Sequence, residues 1–267
     1  MRIVKRVLTW LAVLVGAFVV GIAGWAIVDG LTSDGSAANT NVTFAADDGT
    51  ELTGYLATPD EPGPHPAVLL IHEWWGLNEM MPVMAEALAD EGYVVLAPDA
   101  YRGKVTSAVP RALWLRLTTP EDQIRSDLDD ALAWLGGRDD VDPDRIASMG
   151  FCFGGGESLQ LGLRQSENLA LTIVYYGALV TDPGLLQPLV DAQPVLGVFA
   201  EEDQQIFVDD VLEFEAALTS LDIENQVTIY PGVGHAFIDE ENFNQPGIAG
   251  DAWNEAIAFL DRNLRDG

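Results

Sequence analysis

The chain has 267 residues and sets 42 Asp and Glu against 13 Lys and Arg, a net charge of −29 with a pI near 4.1. Such a surface repels nucleic acid and anionic headgroups, which excludes a polyanion-binding module. A single cysteine, Cys152, excludes an intrachain disulfide and any multi-cysteine metal site. With only two lysines, Lys5 and Lys104, and so many carboxylates, the composition points to a halophilic chain kept soluble at high salt. An ordinary acidic exported protein is the other reading.

In chain order, Arg2, Lys5 and Arg6 precede Val7–Val28, which carries no charge in 22 positions. That run is long enough to cross a bilayer core of roughly 30 Å as a helix. With its basic end inside, it predicts an N-terminal transmembrane anchor over residues 1–29, and a remainder exported to the periplasmic or extracellular face. Small residues at Ala23–Ala26 and Ser36–Ala38 leave a cleaved signal and a secreted product as the alternative. Residues 30–41 read as a small, polar linker.

A single domain is expected over 42–267. It opens with a hairpin, Val42–Ala46 and Glu51–Ala57 around Asp47-Asp48-Gly49. Continuous apolar strands follow at Ala67–Ile71, Tyr93–Ala97, Arg145–Met149, Leu169–Tyr176, Val195–Ala200 and Gln226–Tyr230. Helices are predicted between and after them at Asn78–Asp90, Pro120–Leu135, Glu157–Arg164, Val208–Leu221 and Ala249–Leu264. That alternation means an α/β fold, a mainly parallel sheet with helices on both faces.

Functional groups in such a sheet belong in the loops after the C-terminal ends of the strands. Gly150-Phe-Cys152-Phe-Gly154 follows the Arg145–Met149 strand and has the spacing of a nucleophile elbow, with cysteine in place of serine. Glu201-Glu202-Asp203 follows the Val195–Ala200 strand, and Gly232-Val-Gly234-His235 follows Tyr230. The order Cys152, Asp203, His235 is the nucleophile–acid–base order of the α/β-hydrolase fold. His72-Glu73-Trp74-Trp75-Gly76 follows the first core strand, where that fold supplies an oxyanion-hole N–H and where Glu73 would face the thiol.

Across residues 42–267, Glu73-Trp-Trp-Gly-Leu-Asn78, Pro98-Asp99-Ala-Tyr101, Gly150-Phe-Cys152-Phe-Gly-Gly155 and Gly234-His235-Ala-Phe237 resemble the dienelactone hydrolase family. The resemblance implies a Cys152–His235–Asp203 triad, with Glu73 pairing with the resting thiol and helping to take its proton. It implies an oxyanion hole made of the backbone N–H groups of Trp74 and Phe153. It further implies two arginines for a substrate carboxylate. Arg102 stands one place out of step with the first, and Asp239 occupies the second, which points away from anionic substrates. Trp75, Tyr101 and Phe237 are expected, with Trp74, to line an aromatic substrate pocket. The reading is a hydrolase of small esters or lactones that works through a thioester, needs no metal or organic cofactor, and contacts a membrane through its N-terminus. The rivals are a membrane-tethered, non-catalytic binding module of the same fold, and an enzyme acting on peptides or thioesters.

Overall fold

The computed structural model describes residues 35–190 and 192–265, with Gly16, Gly21 and Gly24 besides. The predicted anchor therefore lies outside the described residues, those three glycines apart. Among the described residues no helix is long and apolar enough to cross a membrane.

Eight strands form one sheet: β1 (Val42–Ala45), β2 (Glu51–Ala57), β3 (His65–Ile71), β4 (Val94–Pro98), β5 (Val141–Phe151), β6 (Leu171–Tyr175), β7 (Val195–Ala200) and β8 (Asn225–Tyr230). Their order is β1-β2-β4-β3-β5-β6-β7-β8. The β1–β2 and β2–β4 pairs are antiparallel, and every pair from β4 to β8 is parallel. The helices are α1 (Met80–Asp90), α2 (Val109–Thr118), α3 (Glu121–Gly136), α4 (Phe153–Arg164), the short α5 (Pro183–Leu186), α6 (Val208–Ser220) and α7 (Ile248–Leu264).

The pleat of β3 shows why the sheet is covered twice. Val68 and Leu70 pack with Met81, Met84 and Leu88 of α1 and with Phe259 and Leu260 of α7. Ala67, Leu69 and Ile71 point the other way, toward Leu128, Ala131 and Leu135 of α3. Alternate residues on a strand face opposite sides, so an unbroken apolar run fits a strand buried on both faces. A third cluster joins α4 to α6 through Leu159, Val211 and Phe214.

Of the departures from the expected elements, three bear on the site and its approach. Helix α2 was not anticipated, because it buries only Ala112 and Leu115 and leaves Leu113, Trp114 and Leu117 exposed. Without a one-sided apolar stripe, a helix of this length has little periodic signal. Helix α4 starts at Phe153, not Glu157, so Gly154, Gly155 and Gly156 are helical. Glycine is a poor helix former on propensity, but a Cβ on Gly154 would lie 2.2 Å from the carbonyl oxygen of Ile71. Close packing of α4 on the end of β3 requires it. Finally, the described part of the expected linker lies against the domain. Ser36–Asn39 forms a single 3-10 turn. The Ser36 hydroxyl donates to Asp99, and Asn39 Nδ2 donates to the Leu77 carbonyl at 3.0 Å.

Candidate active site

The four loops singled out by their position after strands converge at the C-terminal edge of the sheet. Cys152 sits between β5 and α4 with φ 53° and ψ −114°, a conformation that is costly for a residue with a side chain and persists only where its surroundings enforce it. A Cβ on Gly150 would lie 2.1 Å from the Gly154 carbonyl oxygen, so the elbow closes only with glycine there. The turn lifts the sulfur to the N-terminus of α4.

His235, on the loop after β8, places Nε2 3.1 Å from Cys152 Sγ. Its Nδ1 lies 2.8 Å from Asp203 Oδ2. Asp203 is held in turn: its Oδ1 accepts from the backbone N–H groups of Gln205 (2.7 Å) and Ile206 (3.1 Å), and its side chain is fully buried. A carboxylate facing Nδ1 fixes the proton on that nitrogen and leaves Nε2 free to accept from the thiol. The Tyr176 ring meets the His235 ring edge-on, centroids 5.2 Å apart, and limits its rotation.

Burial pushes the Cys152 thiol up to about 12, and the charge of Glu73 adds to the effect; the backbone N–H groups of Phe153 and Trp74 hydrogen-bond the sulfur and pull the other way. Both N–H groups therefore point at the reacting atom. Glu73 is 7% exposed, and burial lifts its carboxyl from 4.5 to about 7 against a hydrogen bond from the Trp75 side chain. Its Oε1 is buried with no partner. The acceptor for the thiol proton is thus His235, and Glu73 acts on the sulfur through space instead of pairing with it. His72 is structural: it is fully buried, and Nε2 accepts from the Ala100 N–H at 3.2 Å while Nδ1–H donates to the Glu73 carbonyl at 2.5 Å.

A cleft of about 450 Å³ opens over the sulfur, lined by Glu73, Trp74, Trp75, Cys152, Phe153, Tyr176 and His235, together with Arg116, Glu157, Gln205 and Ile206. Four residues expected there are placed elsewhere. Tyr101 is fully buried beneath Phe153, rings 5.5 Å apart, and supports the cleft without lining it. Phe237 packs on Tyr176 and Tyr230. Arg102 is turned to Asp127, with bonds of 2.8 and 2.7 Å, because Asp127 is 4% exposed and a buried carboxylate demands a partner. Asp239 is exposed, and its Oδ1 accepts from the N–H groups of Glu241 and Asn242. Among the described residues no group of His, Cys, Asp and Glu is arranged to hold a metal ion.

Sequence reasoning missed Tyr176, Arg116 and Glu157. Tyr176 carried one signal, an aromatic at the C-terminal end of a core strand. Arg116 lies on the unanticipated α2, and Glu157 reads as an ordinary helix-surface glutamate.

A crossover-connected, mainly parallel sheet with a strained strand-to-helix elbow defines the class: this is an α/β-hydrolase fold. The dienelactone hydrolase family profile matches residues 52–264. The chain is 31% identical to Protein usf of Aquifex pyrophilus, covering 81% of this chain and 95% of that one. It is 30% identical to the Aquifex aeolicus protein named "Putative carboxymethylenebutenolidase", over 81% and 96%. Among solved structures, the "Putative Dienelactone Hydrolase" from Klebsiella pneumoniae superposes with a TM-score of 0.70 at 26% identity, covering 83% of this chain and all of that one. The chain belongs to the dienelactone hydrolase family.

Proposed function

We propose that the protein hydrolyses small carboxylic esters or lactones through a thioester on Cys152. The observation that carries this reading is the continuous relay from Cys152 Sγ to His235 at 3.1 Å and on to Asp203 at 2.8 Å. A thiol raised to about 12 needs a base in contact with it to react near neutrality, and His235 Nε2 is that base. As the sulfur attacks the carbonyl carbon, its proton passes to Nε2, and the oxyanion forms against the N–H groups of Phe153 and Trp74. Collapse of the adduct breaks the carbon–oxygen bond, and imidazolium returns the proton to the leaving alkoxide. Water then attacks the thioester, giving its proton to His235. Cleavage of the carbon–sulfur bond releases the acid and restores the thiol. Asp203 keeps the tautomer and stabilises the imidazolium. Glu73 suppresses the thiolate at rest, which protects the cysteine from adventitious alkylation and oxidation.

The test is a panel of neutral esters and lactones assayed with wild type and Cys152→Ala at low and multimolar salt. Turnover by the wild type that vanishes in the variant supports the reading. Turnover that survives the substitution, or cleavage of peptides in preference to esters, sinks it. We further infer that Val7–Val28 ties the domain to a membrane on its exported side. Fractionation of the native cell, followed by protease digestion of intact cells, decides this; a cytoplasmic, protease-protected protein would overturn it.

A further inference from the structure

Two charged residues in the cleft take no part in acyl transfer. Glu157 lies on α4, five residues beyond Cys152, and is 5% exposed. Its Oε2 is buried with no hydrogen-bond partner, and the nearest opposite charge, Arg125 Nε, is 3.9 Å away and itself buried without a partner. That separation is too long for a hydrogen bond. Arg116, from α2, reaches the same cleft with its guanidinium over the Phe153 ring, 5.3 Å from the centroid. Burial raises the Glu157 carboxyl above its ordinary value, and the charges of Arg125, Arg116 and Arg164 pull it back. Arg116 and Arg125 share Glu121, at 3.5 and 3.4 Å, and Arg164 lies 2.9 Å from Asp129. Three guanidinium groups against Glu121, Asp129 and Glu157 leave the cluster with no net charge.

A buried carboxyl with an unmet hydrogen bond is costly and is found where something else completes it. We propose that Glu157 and Arg116 form a recognition subsite for a substrate hydroxyl, so that the preferred substrate is a neutral, hydroxylated ester such as a hydroxyacyl or polyol ester. A hydroxyl donates to the Glu157 carboxylate and accepts from the Arg116 guanidinium at once, and it adds no charge to a balanced cluster. A carboxylate satisfies Arg116 but stands against Glu157; an ammonium does the reverse. The arrangement discriminates in the strong sense, because an analogue lacking the hydroxyl leaves the buried carboxyl unpaired. This subsite rests on the ester-hydrolase reading.

The experiment uses ethyl esters of equal chain length ending in methyl, hydroxyl, carboxylate or ammonium. Cleavage of the methyl ester by wild type and not by Cys152→Ala tests the hydrolase reading alone. The expected result for the subsite is kcat/KM for the hydroxyl ester about tenfold above the methyl ester, or about 1.4 kcal/mol, carried by KM more than kcat. The charged esters should fall below the hydroxyl ester. Glu157→Leu and Arg116→Gln should each bring the hydroxyl-to-methyl ratio toward one. Arg116 is on a lightly packed helix, so its variant keeps the test open if Glu157→Leu fails to fold, which circular dichroism will show. A wild-type ratio near one, a preference for the carboxylate or ammonium ester, or a ratio that survives both substitutions overturns the subsite. Calorimetric binding of the matching hydroxyl- and methyl-terminated amides to Cys152→Ala gives the same comparison without turnover. Equal affinities there overturn the subsite even if no ester is cleaved.

Discussion

The cleft is built by opposite means around its sulfur and around Glu157. Cys152 is placed by backbone: a left-handed elbow, glycines with no room for a Cβ, and a histidine aligned by a carboxylate that two backbone N–H groups hold still. Arg116 and Glu157 are placed by long side chains, one of them on a helix that buries only two residues. Bond making tolerates errors of a fraction of an ångström, so its groups sit on rigid elements. Substrate recognition admits looser support, and a lightly packed helix is a low-stability element able to change with the ligand. The chemistry is locked, and the selectivity is adjustable.

The contrast predicts the largest losses at the sulfur. Cys152→Ala and His235→Ala should each lower kcat by at least about 10³-fold, as removal of one member of a cooperating set does, with far-ultraviolet circular dichroism unchanged. Activity within tenfold of wild type in either variant would mean that the relay is not the route of the reaction.

A pair of substitutions sharpens the comparison through stability. Gly154→Ala forces a methyl against the Ile71 and His72 carbonyl oxygens, at 2.2 and 2.5 Å, and should cost about 3 kcal/mol or prevent folding. Leu117→Ala removes more atoms, but from a side chain of α2 whose residue is 73% exposed, and should move stability by no more than about 0.5 kcal/mol. Chemical denaturation measures both. Equal costs would show that α2 is held by contacts as firm as those of the elbow.

Glu73 tests whether the buried charge belongs to the locked side. Its carboxyl is raised to about 7 from 4.5, so between those values the folded state keeps a proton that the unfolded chain has lost. Stability from this group is therefore present at low pH and lost as pH rises through that window. Glu73→Gln has no proton to lose, so its stability relative to wild type should climb by about 3 kcal/mol from roughly pH 4 to pH 8. The same variant should speed alkylation of Cys152 by iodoacetamide, because removing a like charge lowers the thiol pKa. A pH-independent stability difference, or alkylation no faster than wild type, would take Glu73 out of the electrostatics of the sulfur.

What was legible in the sequence follows the same division. Strand β7 is found over the residues expected, Val195–Ala200, and the elbow spacing placed Cys152 correctly after a strand. Those features are written in apolar runs and in glycines whose positions have steric meaning. Arg116 and Glu157 left no such mark, since an arginine after Leu115 and a glutamate before Ser158 look like solvated helix residues until the chain is folded. Counting positions from the Pro98-Asp99-Ala-Tyr101 motif failed for Arg102 for a related reason. Asp127 in α3, far along the chain, decides where that guanidinium goes.

Arg102 gives the last and smallest test, because it asks whether any substrate contact exists outside the cleft. Its side chain is 37% exposed and its fork is occupied by Asp127, 5% exposed. Arg102→Gln should cost about 1 kcal/mol, below the cost of breaking a fully buried pair, because solvent reaches the arginine side. Asp127→Asn in the Arg102→Gln background should recover part of that loss by removing the stranded carboxylate. In a double-mutant cycle the coupling should therefore be favourable and well under the effects at Gly154. Kinetically, the ratio of kcat/KM between a neutral ester and its carboxylate-bearing counterpart should not change. Two unit charges about 4 Å apart at an effective dielectric of 20 interact by roughly 4 kcal/mol, so an arginine that touched a substrate carboxylate would leave a selectivity change of tenfold or more when removed. A shift of that size in Arg102→Gln would place its guanidinium at the substrate during turnover, and would make the Asp127 pair a resting arrangement that the anion displaces.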